Sequence, residues 1–215
     1  HPAMEDEPLI FIEVALMNTI PEKISEVLKN EREFVDIENV SVAVFYSISN
    51  CQIGLAGISF GNFLIKQVAN DLKFEFPSLK SFVTLSPVPG FTNWLKKFDE
   101  QFYKKITKNI NVKSITNNQK QIMRNSLKYF FRSNRKDNLP NDPVSRFHIG
   151  NGAVLEKINF MGNESEKALN ESLGLMVNYL YDINNVEKYH EKFVLDKQIN
   201  ASKNLLKQFS KLKNI

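Results

Sequence analysis

The stretch VSVAVFYSISNCQIGLAGISFGNFLIK, Val40–Lys66, alternates valines and aromatics, breaks into glycines, and then begins an apolar helical stripe. Alternating β-branched and aromatic residues fit a pleated, half-buried surface, so Val40 to Ser49 reads as a central strand. From Asn62 to Lys73, Phe63, Ile65, Val68, Ala69 and Leu72 share one helical face. Phe76-Pro77 stops that helix, because the residue before a proline is pushed out of helical geometry. Upstream, PLIFIEVALM, Pro8 to Met17, is a second strand, followed by a helix opened by Thr19 and Pro21. Downstream, SFVTLS, Ser81 to Ser86, is a strand ended by Pro87-Val-Pro89-Gly90, and GLMVNYLYD, Gly174 to Asp182, is a late one. Strand, glycine loop, helix and strand in that order predict an α/β core with a mixed sheet. Asn141-Asp142-Pro143 offers an aspartate cap with proline in the first helical turn, and an amphipathic helix follows Asn200.

The chain has 215 residues, enough for one domain with a sizeable core. Its mean hydropathy of -0.30 is that of a soluble protein, and no apolar run approaches the roughly 18 residues of a membrane span. A single cysteine, Cys51, excludes an internal disulfide and a cysteine metal cluster, which suits a reducing, cytoplasmic setting. The first residues carry acids ahead of an apolar run and no basic segment, unlike a secretory signal. Net charge is +4, and the basic excess gathers between Lys96 and Lys136, where Asp99 and Glu100 are the acids. No nucleic-acid motif accompanies it. A solvated helical face, with Phe98, Phe102, Tyr103, Tyr129, Phe130 and Phe131 packing inward, is the commoner origin of such a run.

Gly57-Ile-Ser59-Phe-Gly61 satisfies the G-x-S-x-G pattern of a serine hydrolase elbow. An elbow places its nucleophile directly after the last strand residue, whereas Ser59 lies about ten residues beyond Ser49, so the pattern is not an elbow. Gly54, Gly57 and Gly61 leave the backbone bare ahead of a helix N-terminus. N–H groups and the helix dipole can there converge on an anion such as a pyrophosphate. The loop lacks the Lys-Ser/Thr ending of an ATP P-loop and the spacing of a dinucleotide fingerprint. On spacing alone, a plain connector explains it equally well.

GLAGISFGNFLIKQV (Gly54–Val68), EFPSLKSFVTLSPVPGFTNWL (Glu75–Leu95), DPVSRFHIGNGAVLEKINF (Asp142–Phe160) and GLMVNYLY (Gly174–Tyr181) together resemble the malonyl-CoA decarboxylase family. The most specific motifs are L-S-P-x-P-G-F and F-H-x-x-N-G-A-x-L. The resemblance implies a GNAT-like α/β fold, a mixed sheet flanked by helices, with a helical basic insert at about 96–140. It implies decarboxylation of malonyl-CoA to acetyl-CoA and carbon dioxide, with Ala56, Gly57, Ile58, Ser59, Phe60, Gly61 and Asn62 as the acyl-CoA loop. It places the start of residues 1–215 inside the family's catalytic domain, beyond its helical N-terminal domain, and leaves room for a homo-oligomer. It calls for neither metal nor redox cofactor, and for no nucleic-acid or membrane partner. An acyl-CoA-dependent acyltransferase of the same fold and a non-catalytic acyl-CoA-binding domain are the competing functions.

Ser86 ends its strand before Pro87, a position more often held by a mere terminator; the resemblance makes it the catalytic serine. His148, in an apolar Phe-His-Ile setting, is more often a core residue; the resemblance makes it the catalytic histidine. Ser86 is expected to contact the malonyl group as proton acceptor, and His148 to donate the proton that converts the enolate into acetyl-CoA. His190, flanked by charge, reads as surface. Asn178, Tyr179 and Tyr181 are candidates for lining an acyl channel or for packing the sheet, and Arg146 lies near His148 in sequence.

Overall fold

The structure is a computed structural model describing residues 7–8, 10–29, 36–52, 61–133 and 135–213. Strand β1 (Ile10–Met17) pairs antiparallel with β2 (Val42–Asn50), and β2 pairs parallel with β3 (Ser81–Thr84) through the crossover helix α2 (Gly61–Glu75). Beyond β3 lies β6 (Met176–Leu180), antiparallel to β3, to the short β4 (Ser86–Pro87) and to β5 (Val154–Asn159). The sheet is mixed, as expected, and it is buried on both faces by period-two alternation. Ala43, Phe45 and Phe82 pack into the larger core under the helices, whereas Val42, Val44, Val83 and Leu85 join Ala15, Met176 and Val27 on the opposite face. Val27 belongs to α1 (Ile24–Val27), a single turn whose Glu26 carboxylate accepts the Lys23 N–H at 3.0 Å. The helix therefore begins later than Thr19 and Pro21 suggest.

The basic segment forms α3 (Phe91–Phe98), α4 (Glu100–Thr107), α5 (Val112–Asn117) and α6 (Gln119–Arg132). Leu95, Phe102, Ile106, Ile115, Ile122 and Phe130 are buried in the common core, and Lys96, Lys97, Lys104 and Lys105 are exposed. In α3 and α4 an apolar stripe faces inward and the lysines face water, which is the solvated-face reading, although Phe98 is exposed rather than packed inward. In α6, Arg124 and Lys128 are half-buried and Arg132 is exposed, Lys128 lying over Phe98 and Arg132 over Phe209. Asp142 caps α7 (Pro143–Gly150) by accepting the Ser145 N–H at 2.8 Å, with Pro143 in the first turn. The tail helix α10 (Lys203–Lys213) packs on α6, Phe209 stacking on Phe131. Strand β5, α8 (Glu166–Ser172) and α9 (Val186–Asp196) were not foreseen. Charged residues interrupt their apolar pattern: β5 reads VLEKIN, and only its Leu155, Ile158 and Asn159 are buried.

Candidate active site

The expected strand Ser81–Ser86 is broken at Leu85, and the break builds the site. Val83 opposes Leu180 and Ser86 opposes Val177, so β3 and β4 hold one register along β6. Tyr181 N–H donates to the Phe82 carbonyl at 2.8 Å, which makes Thr84 and Tyr179 the next hydrogen-bonded pair in an unbroken ladder. Side chains replace that pair. The Tyr179 N–H donates to Thr84 Oγ1 at 3.2 Å, and the Thr84 carbonyl accepts from Asn178 Nδ2 at 3.0 Å. Asn178 Nδ2 also reaches the Pro21 carbonyl at 3.1 Å, and its Oδ1 accepts from Asn159 Nδ2 at 2.6 Å. The Tyr179 N–H and the Thr84 carbonyl released by the break are therefore satisfied in the sheet interior.

A second irregularity lies across the sheet. Glu13 pairs with Ser47 but Val14 with Phe45, so Tyr46 is an extra residue in β2. A bulge bends its strand, and here β2 leaves β3: their pairing ends at Phe45 opposite Thr84. The diverging strands open a cleft of about 810 Å³. Residues 45–49 of β2 form one wall, Leu85, Ser86 and Pro87 another, and Val144, Phe147 and His148 of α7 a third. Lys167 of α8 is the charged side chain among the described lining residues.

Ser86 and His148 meet in this cleft, Ser86 Oγ 3.1 Å from His148 Nε2 across 62 residues of sequence. Ser86 Oγ lies 2.9 Å from Thr84 Oγ1, and His148 Nδ1 lies 2.8 Å from the Tyr181 hydroxyl. The imidazole stacks on the Tyr179 ring, centroids 4.6 Å apart. Both Ser86 and His148 are buried, with only small parts facing the cleft. Burial holds the His148 pKa down to about 3, because charging a ring away from water is unfavourable. The imidazole is therefore neutral at ordinary pH.

Asp142 supports α7 from behind. It is buried, and its Oδ2 accepts the Tyr129 hydroxyl at 3.2 Å. Burial raises its carboxyl pKa, while N–H groups of Ser145, Gly90 and Val144 and the Tyr129 hydroxyl act against that rise. A side chain at Gly90 would place Cβ 2.4 Å from the Tyr129 hydroxyl, so the G of L-S-P-x-P-G-F makes room for this contact.

The sequence pointed to Ser86 and His148, and the fold brings them together. Ala56 to Phe60 of the glycine loop lie outside the described residues; Gly61 and Asn62 open α2, the next element in the chain after β2. Of the candidate lining residues, Asn178 braces the sheet, Tyr179 floors the imidazole and Tyr181 holds its Nδ1; none of them lines the cleft. Arg146 turns away, donating to the Pro140 and Asn141 carbonyls at 2.8 Å each. His190 is half-buried rather than surface, its Nδ1 bonded to the Gly150 carbonyl. Thr84 and Tyr181 were missed as partners, although hydroxyls two apart in Thr84-Leu-Ser86 and in Tyr179-Leu-Tyr181 share one strand face. Among the described residues no cluster of three His, Cys, Asp or Glu side chains is placed to hold a metal, and no helix is long and apolar enough to cross a membrane.

A family model described as the malonyl-CoA decarboxylase C-terminal domain matches residues 1–214. Mitochondrial malonyl-CoA decarboxylase of Mus musculus is 32% identical over 249 residues, covering 100% of this chain and 50% of its own length. The Anser anser anser enzyme of the same name is 32% identical over 240 residues, covering 96% and 48%. The crystal structure of malonyl-CoA decarboxylase from Rhodopseudomonas palustris superposes with a TM-score of 0.89 at 42% identity, over 96% of this chain and 51% of that one. That from Agrobacterium vitis gives 0.87 at 43% identity, over 95% and 54%. The chain thus spans about half the length of the curated relatives it matches.

Proposed function

The chain belongs to the malonyl-CoA decarboxylase family, and from that premise we propose that it carries the catalytic site for converting malonyl-CoA into acetyl-CoA and carbon dioxide. The observation that carries this reading is Ser86 Oγ at 3.1 Å from His148 Nε2, at the wall of a cleft between diverging strands. Cleavage of the bond between the methylene and carboxylate carbons sends its electron pair into the thioester, forming an enolate. The barrier falls when a donor holds that oxyanion more tightly than the starting thioester, and one aimed donor contributes about 3 kcal/mol. We assign Ser86 that donor role, in place of the proton acceptor that the resemblance implied. The methylene carbon then takes a proton from the Ser86–His148 pair, which regains one from solvent, so each turnover consumes one proton. With its pKa near 3, His148 acts as a neutral N–H donor rather than as an imidazolium.

The edge of β2 beyond Phe45 faces the cleft without a strand partner among the described residues, so an extended, amide-bearing thioester arm can lie along it. The glycine run Ala56–Asn62 joins that edge to the N-terminus of α2, and we assign it the coenzyme pyrophosphate. Lys167 gives the cleft a cation, and we assign it to attracting the anionic substrate, since a tight clamp on the departing carboxylate would favour the ground state. The reaction calls for no metal or redox group. The lone, exposed thiol of Cys51 fits a reducing compartment, the cytoplasm or a mitochondrial matrix.

Incubation with malonyl-CoA alone, following carbon dioxide and acetyl-CoA, tests this. Release of both without an acceptor is expected, with Ser86→Ala slower by roughly 10²-fold, the usual loss for one aimed donor. Turnover only with an added amine would make the protein an acyltransferase, and return of malonyl-CoA unchanged would make it a binding domain.

A further inference from the structure

We propose that Thr84 is a positioning residue for the Ser86–His148 pair: it donates its hydroxyl hydrogen to Ser86 and so leaves the Ser86 hydrogen free to point into the cleft. This rests on the decarboxylase reading above and adds the direction of its hydrogen bonds, which follows from counting buried donors. A hydroxyl has one hydrogen and two lone pairs, and a buried donor left without an acceptor is costly. Thr84 is fully buried, and its Oγ1 already accepts the Tyr179 N–H at 3.2 Å. Were Ser86 to donate across their 2.9 Å contact, both lone pairs of Thr84 would be filled and its hydrogen would have no acceptor among the described residues. With Thr84 donating, the Thr84 hydrogen is satisfied by Ser86, and the Ser86 hydrogen is left for the cleft that Ser86 lines.

The same count applies at the other end. Tyr181 is buried, and among the described residues His148 Nδ1, at 2.8 Å, is the acceptor in reach of its hydroxyl. Tyr181 therefore donates to Nδ1, which places the imidazole hydrogen on Nε2, aimed at Ser86 Oγ 3.1 Å away. Ser86 then accepts from Thr84 on one side and His148 on the other. Its own hydrogen has one direction left, the cleft that Ser86 and His148 both line. Two donors onto one oxygen also polarise its O–H bond, as cooperative hydrogen-bond chains do. Thr84 can occupy this position because the ladder is broken at Leu85; in an unbroken ladder the Tyr179 N–H would go to the Thr84 carbonyl.

The test compares Thr84→Val, which keeps the shape and removes the hydroxyl, with Thr84→Ser, which restores it. In the intact protein Thr84→Val is expected to lower kcat for malonyl-CoA about tenfold, less than the roughly 10²-fold of a directly aimed donor, with KM little changed. Thr84→Ser recovers kcat to within about threefold, and Thr84→Val in a Ser86→Ala background adds no further loss. A Thr84→Val enzyme with normal kcat overturns the inference. So does a serine variant as slow as the valine one, or an undiminished loss in the Ser86→Ala background. Should the valine variant not fold, Thr84→Cys, a poor donor of similar size, takes its place with the same expectations. Nitrogen-15 NMR of the wild-type protein gives a readout that needs no variant: His148 protonated at Nε2 supports the chain of donors, and protonation at Nδ1 overturns it. Normal turnover by Ser86→Ala would instead overturn the decarboxylase reading of this pair, so the two failures are distinct.

Discussion

His148 shows how burial decides what an ionisable residue can do. Its ring is closed in by Tyr179, Tyr181 and Phe147, and no acid faces it within hydrogen-bonding reach among the described residues. Burial alone therefore lowers its pKa to about 3 from an ordinary 6.5. Unfolded, the same imidazole takes a proton below about 6.5, so between those values the unfolded state binds more protons than the folded one. Stability is thus fully present above about pH 6.5 and falls as the medium is acidified, by at most about 1.4 kcal/mol per pH unit from this residue, until about pH 3. Urea unfolding between pH 4 and 7 is expected to show this slope, and His148→Gln to flatten it. An unchanged slope in the variant would mean that other groups govern acid stability. The rate profile should likewise lack an inflection near 6.5 that disappears with His148.

At the scale of elements, α7 is where the site's precision resides. The helix has eight residues, and its N-terminus rests on one carboxylate that caps Ser145 and accepts the Tyr129 hydroxyl. Removing Asp142 withdraws the cap, worth about 0.5–2 kcal/mol, and orphans a buried phenol, a further 1–3 kcal/mol or so. Asp142→Ala is thus expected to cost about 1.5–5 kcal/mol and to loosen the 3.1 Å contact that His148 makes with Ser86. Asp142→Asn keeps the cap acceptor and loses less. Chemical denaturation of both variants checks the order, and equal losses would show that the cap contributes little. This helix was legible in the sequence because Asp142-Pro143 is a local signal, as were the alternation of β2 and the stripe of α2. The break at Leu85 was not, since it depends on Asn178 and Tyr179, whose contacts with Thr84 span 94 and 95 residues. Ser86 and His148 were chosen by resemblance. Their residue types alone allowed a strand terminator and a core histidine, and the grounds for pairing them lie in the fold.

For the molecule as a whole, the sheet provides the cleft, and the net charge of the chain bears on how an anionic substrate would reach it. Two departures from regular pairing, the extra Tyr46 in β2 and the break at Leu85, lie on facing strands and part them at one level. The walls so formed are apolar or hydroxylic, with Lys167 their charge among the described residues, and the chain carries +4 overall. On the proposed decarboxylase reading the substrate is a strongly anionic coenzyme A thioester, whose approach a net positive chain would assist, while loose binding around the carboxylate that must leave would favour catalysis. Such attraction acts over about 30 Å at 0.01 M salt and about 10 Å at 0.1 M. KM for malonyl-CoA is therefore expected to rise several-fold between those salt concentrations, with kcat changing less. Lys167→Ala should raise KM at low salt and weaken its salt dependence, and Lys167→Arg should restore both, if this exposed charge attracts the substrate rather than taking part in the chemistry. A salt-independent KM, or a Lys167→Ala variant impaired in kcat alone, would place the lysine in the chemistry or outside the substrate's path.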